Sequence, residues 1–373
     1  MRRSARRVVA GRWARHGRVA SGAPARDVVR AALQKLQRTL DGHPDLVALG
    51  VGFKHSRRTR YGPKLRVAVK AFVRRKRLRV SRDRRLPQRI QVVVGGRHVS
   101  VPVDIEETHG LRPQLRVVCR PGPGVLVQCE DKSLHQPCGS VGAFFRDADD
   151  PSVVFMLTAG HTFAPLGQLA ASRDVEIGRW ARVPADADEA CSMQVDEVVS
   201  GGLLRRTATW FEGAAGGLVD IALIRLPAVV PPILRTAPWT QGPARVASES
   251  ALRRAIDDAG RQLSLLAYTA SGVKLLLTDS FVDPPSADVI DVDGTSYATT
   301  LLMSRPLGAS DVTFGGDSGA PIYTEDGSEL VGFHILGNGQ SDPADARSIC
   351  LLAESAIAEI RWRTGLRLVP VAL

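Results

Sequence analysis

The spacing of apolar residues divides the first third of the chain into one helix and four strands. Residues 27–40 carry an apolar side chain at every third or fourth position, which is the period of an amphipathic helix. Four short runs rich in β-branched and apolar residues follow and have the length of strands; they cover residues 46–53, 65–73, 90–94 and 98–105. Gly95-Gly96 separates the last two runs and predicts a hairpin turn. The pattern predicts a small basic α+β module over residues 27–110.

The rest of the chain has the pattern of a β protein. The Pro-Gly-Pro-Gly run at 121–124 interrupts any regular element, so residues 111–138 are predicted to be a linker. The apolar run at 139–145 is predicted to be the first strand of a barrel. Amphipathic spacing returns at 352–363 and predicts a C-terminal helix, which a short apolar strand at 366–371 follows.

Charge is distributed unevenly along the chain. Residues 1–100 contain 28 Lys or Arg against 4 Asp or Glu, a net charge of +24. Because the whole chain carries +12, residues 101–373 carry −12. Residues 1–26 are rich in Arg and contain no acid, which predicts a disordered basic tail.

Three polar residues stand at the ends of apolar runs and could act together. Ser318 is flanked by glycines that permit a tight turn, so that its hydroxyl can be exposed. The same turn would bring the N–H groups of Gly316 and Ser318 to one point, where they could stabilise a developing oxyanion. A serine hydroxyl needs a base, and that base needs an orienting group. His161 and Asp220, each at the end of an apolar run upstream, are the candidates for these two roles.

On these motifs the chain resembles the trypsin-like serine proteases of the chymotrypsin fold. The matching runs are Thr158-Ala159-Gly160-His161 for the family's Thr-Ala-Ala-His, Asp220-Ile221-Ala222-Leu223 for its Asp-Ile-Ala-Leu, and Gly316-Asp317-Ser318-Gly319 for its Gly-Asp-Ser-Gly. The resemblance implies a mainly β fold with two antiparallel six-stranded β-barrels over residues 139–373 and a C-terminal helix packed on them. It also implies a catalytic triad of His161, Asp220 and Ser318, with Gly316 and Ser318 forming the oxyanion hole.

The N-terminal extension is similar to that of bacterial intracellular members of the family. The strand containing Gly50-Val51-Gly52 resembles one found ahead of the protease domain in some bacterial relatives. Secreted relatives are often activated when cleavage creates an apolar N-terminus that pairs with the acid before the serine. This chain has no Ile-Val-Gly-Gly, so Asp317 is expected to find another partner and the enzyme to need no such activation.

The resemblance also places a substrate pocket. Val312, Thr313, His334 and Gly337 fall at its lining positions, with Val312 at the base. Thr313 and His334 lie where glutamyl endopeptidases of this fold place a threonine and a histidine, which predicts a preference for acidic side chains. Two alternatives stay open: His334 as a solvent-facing strand residue, and Asp311 turned inward to select basic side chains.

No cofactor or metal is expected from the sequence. Three cysteines and a histidine cluster in sequence, yet they lack the paired spacing of structural zinc sites; they are Cys119, Cys129, His135 and Cys138. No run is long and apolar enough to span a membrane, and the N-terminus lacks a signal-peptide pattern, so a cytoplasmic protein is expected.

Protein or peptide substrates are the expected partners, with cleavage through a covalent acyl-enzyme. The alternative from a different class is a catalytically silent protease-fold binding or scaffold protein. Its basic N-terminal region would contact nucleic acid or another polyanion through phosphate groups. An esterase using the same site also stays open, because acyl transfer to water is the same chemistry.

Overall fold

The computed structural model describes most of residues 26–108 and 245–372 and shorter segments between them. The described residues are 26–40, 43–56, 64–74, 76, 85–108, 125–129, 138–162, 175–182, 193–195, 199–200, 207–210, 219–226, 245–258, 260–270, 272–283, 290–292, 295–297, 299–314, 316–338 and 345–372. The predicted tail, apart from Arg26, and most of the basic run after residue 74 lie outside them.

Strands predominate among the regular elements. The helices are α1 (Arg26–Thr39), α2 (Glu249–Arg253) and α3 (Ala353–Thr364). The strands are β1 (Leu46–Ser56), β2 (Lys64–Val73), β3 (Arg89–Val94), β4 (Arg97–Glu107), β5 (Val125–Cys129), β6 (Cys138–Ser140), β7 (Ala143–Asp147), β8 (Val154–Thr158), β9 (Val175–Arg182), β10 (Met193–Val195), β11 (Val199–Ser200), β12 (Thr207–Trp210), β13 (Ile221–Arg225), β14 (Arg245–Val246), β15 (Ser264–Thr269), β16 (Gly272–Val282), β17 (Ile290–Val292), β18 (Thr295–Tyr297), β19 (Leu301–Pro306), β20 (Pro321–Thr324), β21 (Glu329–Gly337), β22 (Ser348–Leu352) and β23 (Leu368–Pro370).

Six strands of the second half close into an antiparallel barrel. They pair in the order β15-β20-β21-β22-β19-β16, and β16 pairs back with β15. Closure leaves no edge strand within this ring. Burial alternates along β15, where Leu265 and Ala267 point into the core between half-buried neighbours. One of the two predicted six-stranded barrels is thereby confirmed.

The strands expected to form the other barrel lie in two five-stranded sheets. One has the order β12-β13-β8-β7-β23, and the other has the order β10-β9-β5-β6 with β11 beside β9. Among the described strands these sheets do not close into a ring, so the second barrel stays a prediction. Strand β5 lies inside the range predicted to be a linker, where it pairs with β6 and β9. The apolar run at 139–145 is divided between β6 and β7.

The N-terminal region pairs with the barrel through one strand, and its description as a separate basic α+β module over residues 27–110 stays a prediction. Its helix and four strands form where the apolar pattern placed them, and the turn between β3 and β4 has Gly95 and Gly96 at φ values of 56° and 74°. Strand β1 pairs with β16 at Gly52 and Ser280, which adds β1, β2, β4 and β3 to the barrel's sheet; with β14 beside β21 the sheet has eleven strands. The same apolar core contains Leu36 of α1 and Phe281 of the barrel. Pairing with β16 satisfies backbone groups that β1 would otherwise expose at a sheet edge.

None of the helices in the described residues is long and apolar enough to cross a membrane.

Candidate active site

His161 and Asp220 are brought together by the pairing of β8 and β13. Thr158, the last residue of β8, lies opposite Ala222, so the chain just before β13 runs beside the turn after β8. His161 Nδ1 lies 2.5 Å from Asp220 Oδ2, and the backbone N–H of His161 donates to Asp220 Oδ1 at 2.8 Å. A carboxylate only accepts hydrogen bonds, so Nδ1 is the donor in this contact.

Gly160 allows this close approach. A Cβ at Gly160 would lie 3.0 Å from the carbonyl oxygen of Ile221 and 3.2 Å from Asp220 Oδ1. The space is therefore tight for the alanine that the related motif carries at this position.

Ser318 lies in a buried turn between β19 and β20. This turn packs against the end of β8 and the residues that lead from it to His161. Its carbonyl accepts from Ser140 N at 2.7 Å, and Gly319 N donates to the carbonyl of His334 at 2.7 Å. Gly319 has a φ of 86°, and a Cβ there would lie 1.8 Å from Thr158 Oγ1. Only glycine fits this turn, which fixes the serine next to the histidine-bearing segment.

The reactive atoms of Ser318 and His161 are both buried and unsatisfied. Neither Ser318 Oγ nor His161 Nε2 has a hydrogen-bond partner among the described residues; the only other buried side-chain atom there in this condition is Thr162 Oγ1. Buried polar atoms are almost always paired, so unpaired ones point to a role outside structural support. The two atoms therefore do not hydrogen-bond to each other in this structure: it joins His161 to Asp220, and it places Ser318 beside the segment that carries His161 without that third contact.

Asp317, the acid before the serine, is engaged inside its own loop. Its Oδ2 accepts from Phe314 N at 2.9 Å, and its backbone N–H donates to the carbonyl of Phe314 at 3.1 Å. This contact supplies the other partner that the sequence led us to expect.

The four predicted pocket residues, Val312, Thr313, His334 and Gly337, are all buried. Val312 forms a small apolar cluster with Phe314 and Ala346, separate from the main cores. His334 is fully buried and its Nδ1 lies 2.8 Å from Ser348 Oγ, so the solvent-facing alternative is wrong.

Asp311 does not support the basic-selectivity alternative. Its Oδ1 accepts from the backbone N–H of Leu275 at 3.1 Å, which ties the carboxylate to β16. The loop before the nucleophile is thereby anchored to the barrel wall.

Sequence reasoning missed two residues that support this region. Ser140 Oγ donates to the carbonyl of Gly316 at 3.0 Å and accepts from Ala270 N at 2.8 Å, so it ties the nucleophile loop to the barrel. The buried Lys274 donates to the carbonyl of Ser310 at 3.0 Å, with its ammonium 5.7 Å from the centre of the Phe314 ring. A serine or a lysine inside a strand gives no local signal of such contacts. The cysteines considered for metal binding have side chains outside the described residues.

Burial of His334 predicts a pH-dependent stability. Burial, together with the nearby His161, lowers the pKa of His334 from 6.5 to about 3. Between these values the unfolded chain binds the proton and the folded chain does not, so acidification favours unfolding by up to about 1.4 kcal/mol per pH unit. We expect the unfolding free energy to fall more steeply between pH 6.5 and 4.5 in the wild type than in His334→Gln, as measured by urea titration. Equal slopes in the two proteins would contradict this expectation.

Comparison with known proteins gives only distant structural similarity. No family model matches the chain, and no curated protein matches it. Among solved structures, HL collagenase is 16% identical with a TM-score of 0.34, and the match covers 65% of this chain and 93% of that one. The catalytically inactive tobacco etch virus protease complexed with substrate is 10% identical with a TM-score of 0.32, covering 68% of this chain and 90% of that one.

Proposed function

We propose that the protein is a serine endopeptidase of the trypsin-like type that acts through His161, Asp220 and Ser318. The observation that carries this proposal is the set of contacts made by the imidazole ring of His161. His161 Nδ1 lies 2.5 Å from the carboxylate of Asp220. His161 Nε2 and the hydroxyl of Ser318 are both buried without a hydrogen-bond partner in the described part of the chain. Nucleophilic acyl transfer requires an oriented base and a hydroxyl that donates to it, and Ser318 Oγ would form that hydrogen bond with His161 Nε2 in the substrate complex.

The reaction follows from these roles. Ser318 Oγ attacks the scissile carbonyl carbon and its proton passes to His161 Nε2. The N–H groups of Gly316 and Ser318 stabilise the oxyanion of the tetrahedral intermediate. His161 then protonates the leaving amine as the C–N bond breaks, which leaves an acyl group on Ser318. Water, deprotonated by His161, hydrolyses this acyl-enzyme, and Asp220 stays ionised throughout to stabilise the imidazolium.

We further propose that the pocket prefers acidic side chains. Thr313 and His334 are both buried at the positions where the resemblance places carboxylate-binding groups, and His334 Nδ1 lies 2.8 Å from Ser348 Oγ. With a pKa of about 3 the His334 ring is neutral, so it would contribute hydrogen bonding rather than a positive charge to an acidic ligand. The buried ammonium of Lys274 beside Phe314 supplies positive potential near the apolar base of the pocket.

Cleavage of a denatured proteome tests both proposals. Purified protein would be incubated with the mixture, and new peptide termini read by mass spectrometry. In parallel, a fluorophosphonate probe would be mapped to its labelled residue, with probe-blocked protein as the control. We expect labelling of Ser318 and termini enriched in Glu or Asp before the cut bond.

The other outcomes separate the alternatives. Cleavage after Leu or Arg would keep the endopeptidase and reject the acidic preference. Turnover of simple esters without any peptide cleavage would favour the esterase. Neither labelling nor cleavage would favour the catalytically silent binding protein.

A further inference from the structure

A buried ion network joins the N-terminal strands to the barrel. Lys70 of β2 has no exposed surface, and its Nζ lies 2.9 Å from Glu106 Oε1, 2.9 Å from Asp279 Oδ2 and 3.4 Å from Asp104 Oδ2. Asp104 and Glu106 are in β4, whereas Asp279 is in the barrel strand β16. The lysine therefore bridges carboxylates on both sides of the junction.

Two arginines of the barrel complete the network. Arg305 lies 3.0 Å from Asp279 Oδ1 and 2.9 Å from Glu106 Oε1, and Arg347 lies 3.7 Å from Glu106 Oε2. The half-exposed Lys54 also lies 3.6 Å from Asp104 Oδ1, so each carboxylate of the network has at least two cationic partners. Burial by itself raises the pKa of Glu106, but Lys70, Arg347 and Arg305 outweigh it and hold that pKa below its usual value.

Arg347 connects this network to the pocket. It lies between Ala346, which belongs to the apolar cluster with Val312, and Ser348, whose hydroxyl holds His334. Its guanidinium donates to the carbonyl of Ala346 at 2.8 Å, and its backbone N–H donates to Asn338 Oδ1 at 3.0 Å. The two sequence neighbours of Arg347 therefore contact the predicted pocket residues Val312 and His334.

We propose that Glu106 is a positioning residue for substrate recognition, because it holds Arg347 and thereby the Ala346 and Ser348 side of the pocket. The inference rests on the proposed function. It makes the N-terminal strands part of the support of the specificity pocket, since Glu106 of β4 contacts Arg347 directly and also pairs with Arg305, the neighbour of Ser304, whose hydroxyl donates to the carbonyl of Ser348.

The test compares variants of the full chain on a peptide with Glu before the scissile bond. Glu106→Gln keeps the shape of the side chain but loses its charge, and Arg347→Gln removes the partner. We expect KM to rise about tenfold in each, with kcat within about twofold and an unchanged rate of Ser318 labelling by a small fluorophosphonate that does not need the pocket. A tenfold change corresponds to about 1.4 kcal/mol. Glu106→Asp should restore part of the loss.

Arg253→Gln is the matched control. It breaks another partly buried ion pair, with Asp283, and a contact with the Phe281 ring, without touching the pocket residues. We expect it to lower the melting temperature and to leave KM unchanged.

The results distinguish the possible failures. An equal KM in wild type, Glu106→Gln and Arg347→Gln would overturn the inference, as would a fall in labelling that matches the fall in peptide cleavage. A wild type that neither cleaves nor labels would overturn the proposed function first, and the inference with it.

Discussion

Replacing Ser318 by alanine is expected to lower kcat for peptide hydrolysis by about 10⁶-fold. The methyl group cannot form the acyl-enzyme, and only binding and oxyanion stabilisation remain to accelerate direct attack by water. The unfolding free energy should change little, since Ser318 Oγ makes no hydrogen bond to the described residues. Long time courses with a fluorogenic peptide, beside urea unfolding of both proteins, measure the two quantities.

The triad is expected to behave as one unit. His161→Ala should lower kcat by a similar factor. The Ser318→Ala/His161→Ala double variant should be no slower than either single variant, because neither residue works without the other. Additive losses would contradict a shared mechanism. If kcat fell only tenfold in Ser318→Ala, a residue other than Ser318 would be the nucleophile.

The candidate site was predicted from sequence signals that are local, and the structure shows the contact between two of its members. His161 and Asp220 each close or open an apolar strand within a few residues, and antiparallel pairing of those strands sets the two side chains 2.5 Å apart. Gly319 next to Ser318 likewise predicted a tight turn, and Gly319 has a φ of 86° in the structure. The helix α1 and the four strands after it followed from periodicity alone.

The junction between the N-terminal region and the barrel could not be foreseen in this way. Gly50 and Gly52 suggested only a resemblance to a strand of bacterial relatives, yet a Cβ at Gly50 would lie 1.9 Å from the carbonyl oxygen of Phe281, and one at Gly52 would lie 2.3 Å from Ser280 Cβ. These glycines let β1 cross β16 at close range. The partner strand is more than two hundred residues away in sequence, so no local pattern identifies it.

Charge was similarly uninformative about the ion network. Lys70 is one of 28 basic residues in the first hundred, and nothing in its neighbourhood separates it from those expected at the surface. Its burial follows from the meeting of Glu106 and Asp279, which only the tertiary fold brings together. The same meeting gives this part of the basic region a contact with the barrel, while binding of a polyanion by the region stays a prediction.

Gly319→Ala should be among the most destabilising single substitutions in the chain. The added Cβ would lie 1.8 Å from Thr158 Oγ1 and 2.9 Å from Ala159 N, in a residue that already has a left-handed backbone. Overpacking costs about 1–3 kcal/mol, and the dihedral adds about 1 kcal/mol for a residue with a side chain. We expect the unfolding free energy to fall by about 3 kcal/mol in urea titrations, and cleavage to fall with it because Ser318 must move away from His161.

Gly365→Ala is the control that separates the cost of the backbone dihedral from the cost of the steric clash. Gly365 ends α3 with a φ of 75°, and a Cβ there would meet nothing within 4 Å. Its substitution carries the dihedral cost alone, about 1 kcal/mol, and should leave cleavage unchanged. The difference between the two variants measures how firmly the nucleophile turn is packed against the strand that carries the histidine. If the two lost stability equally, that packing would not be what positions Ser318.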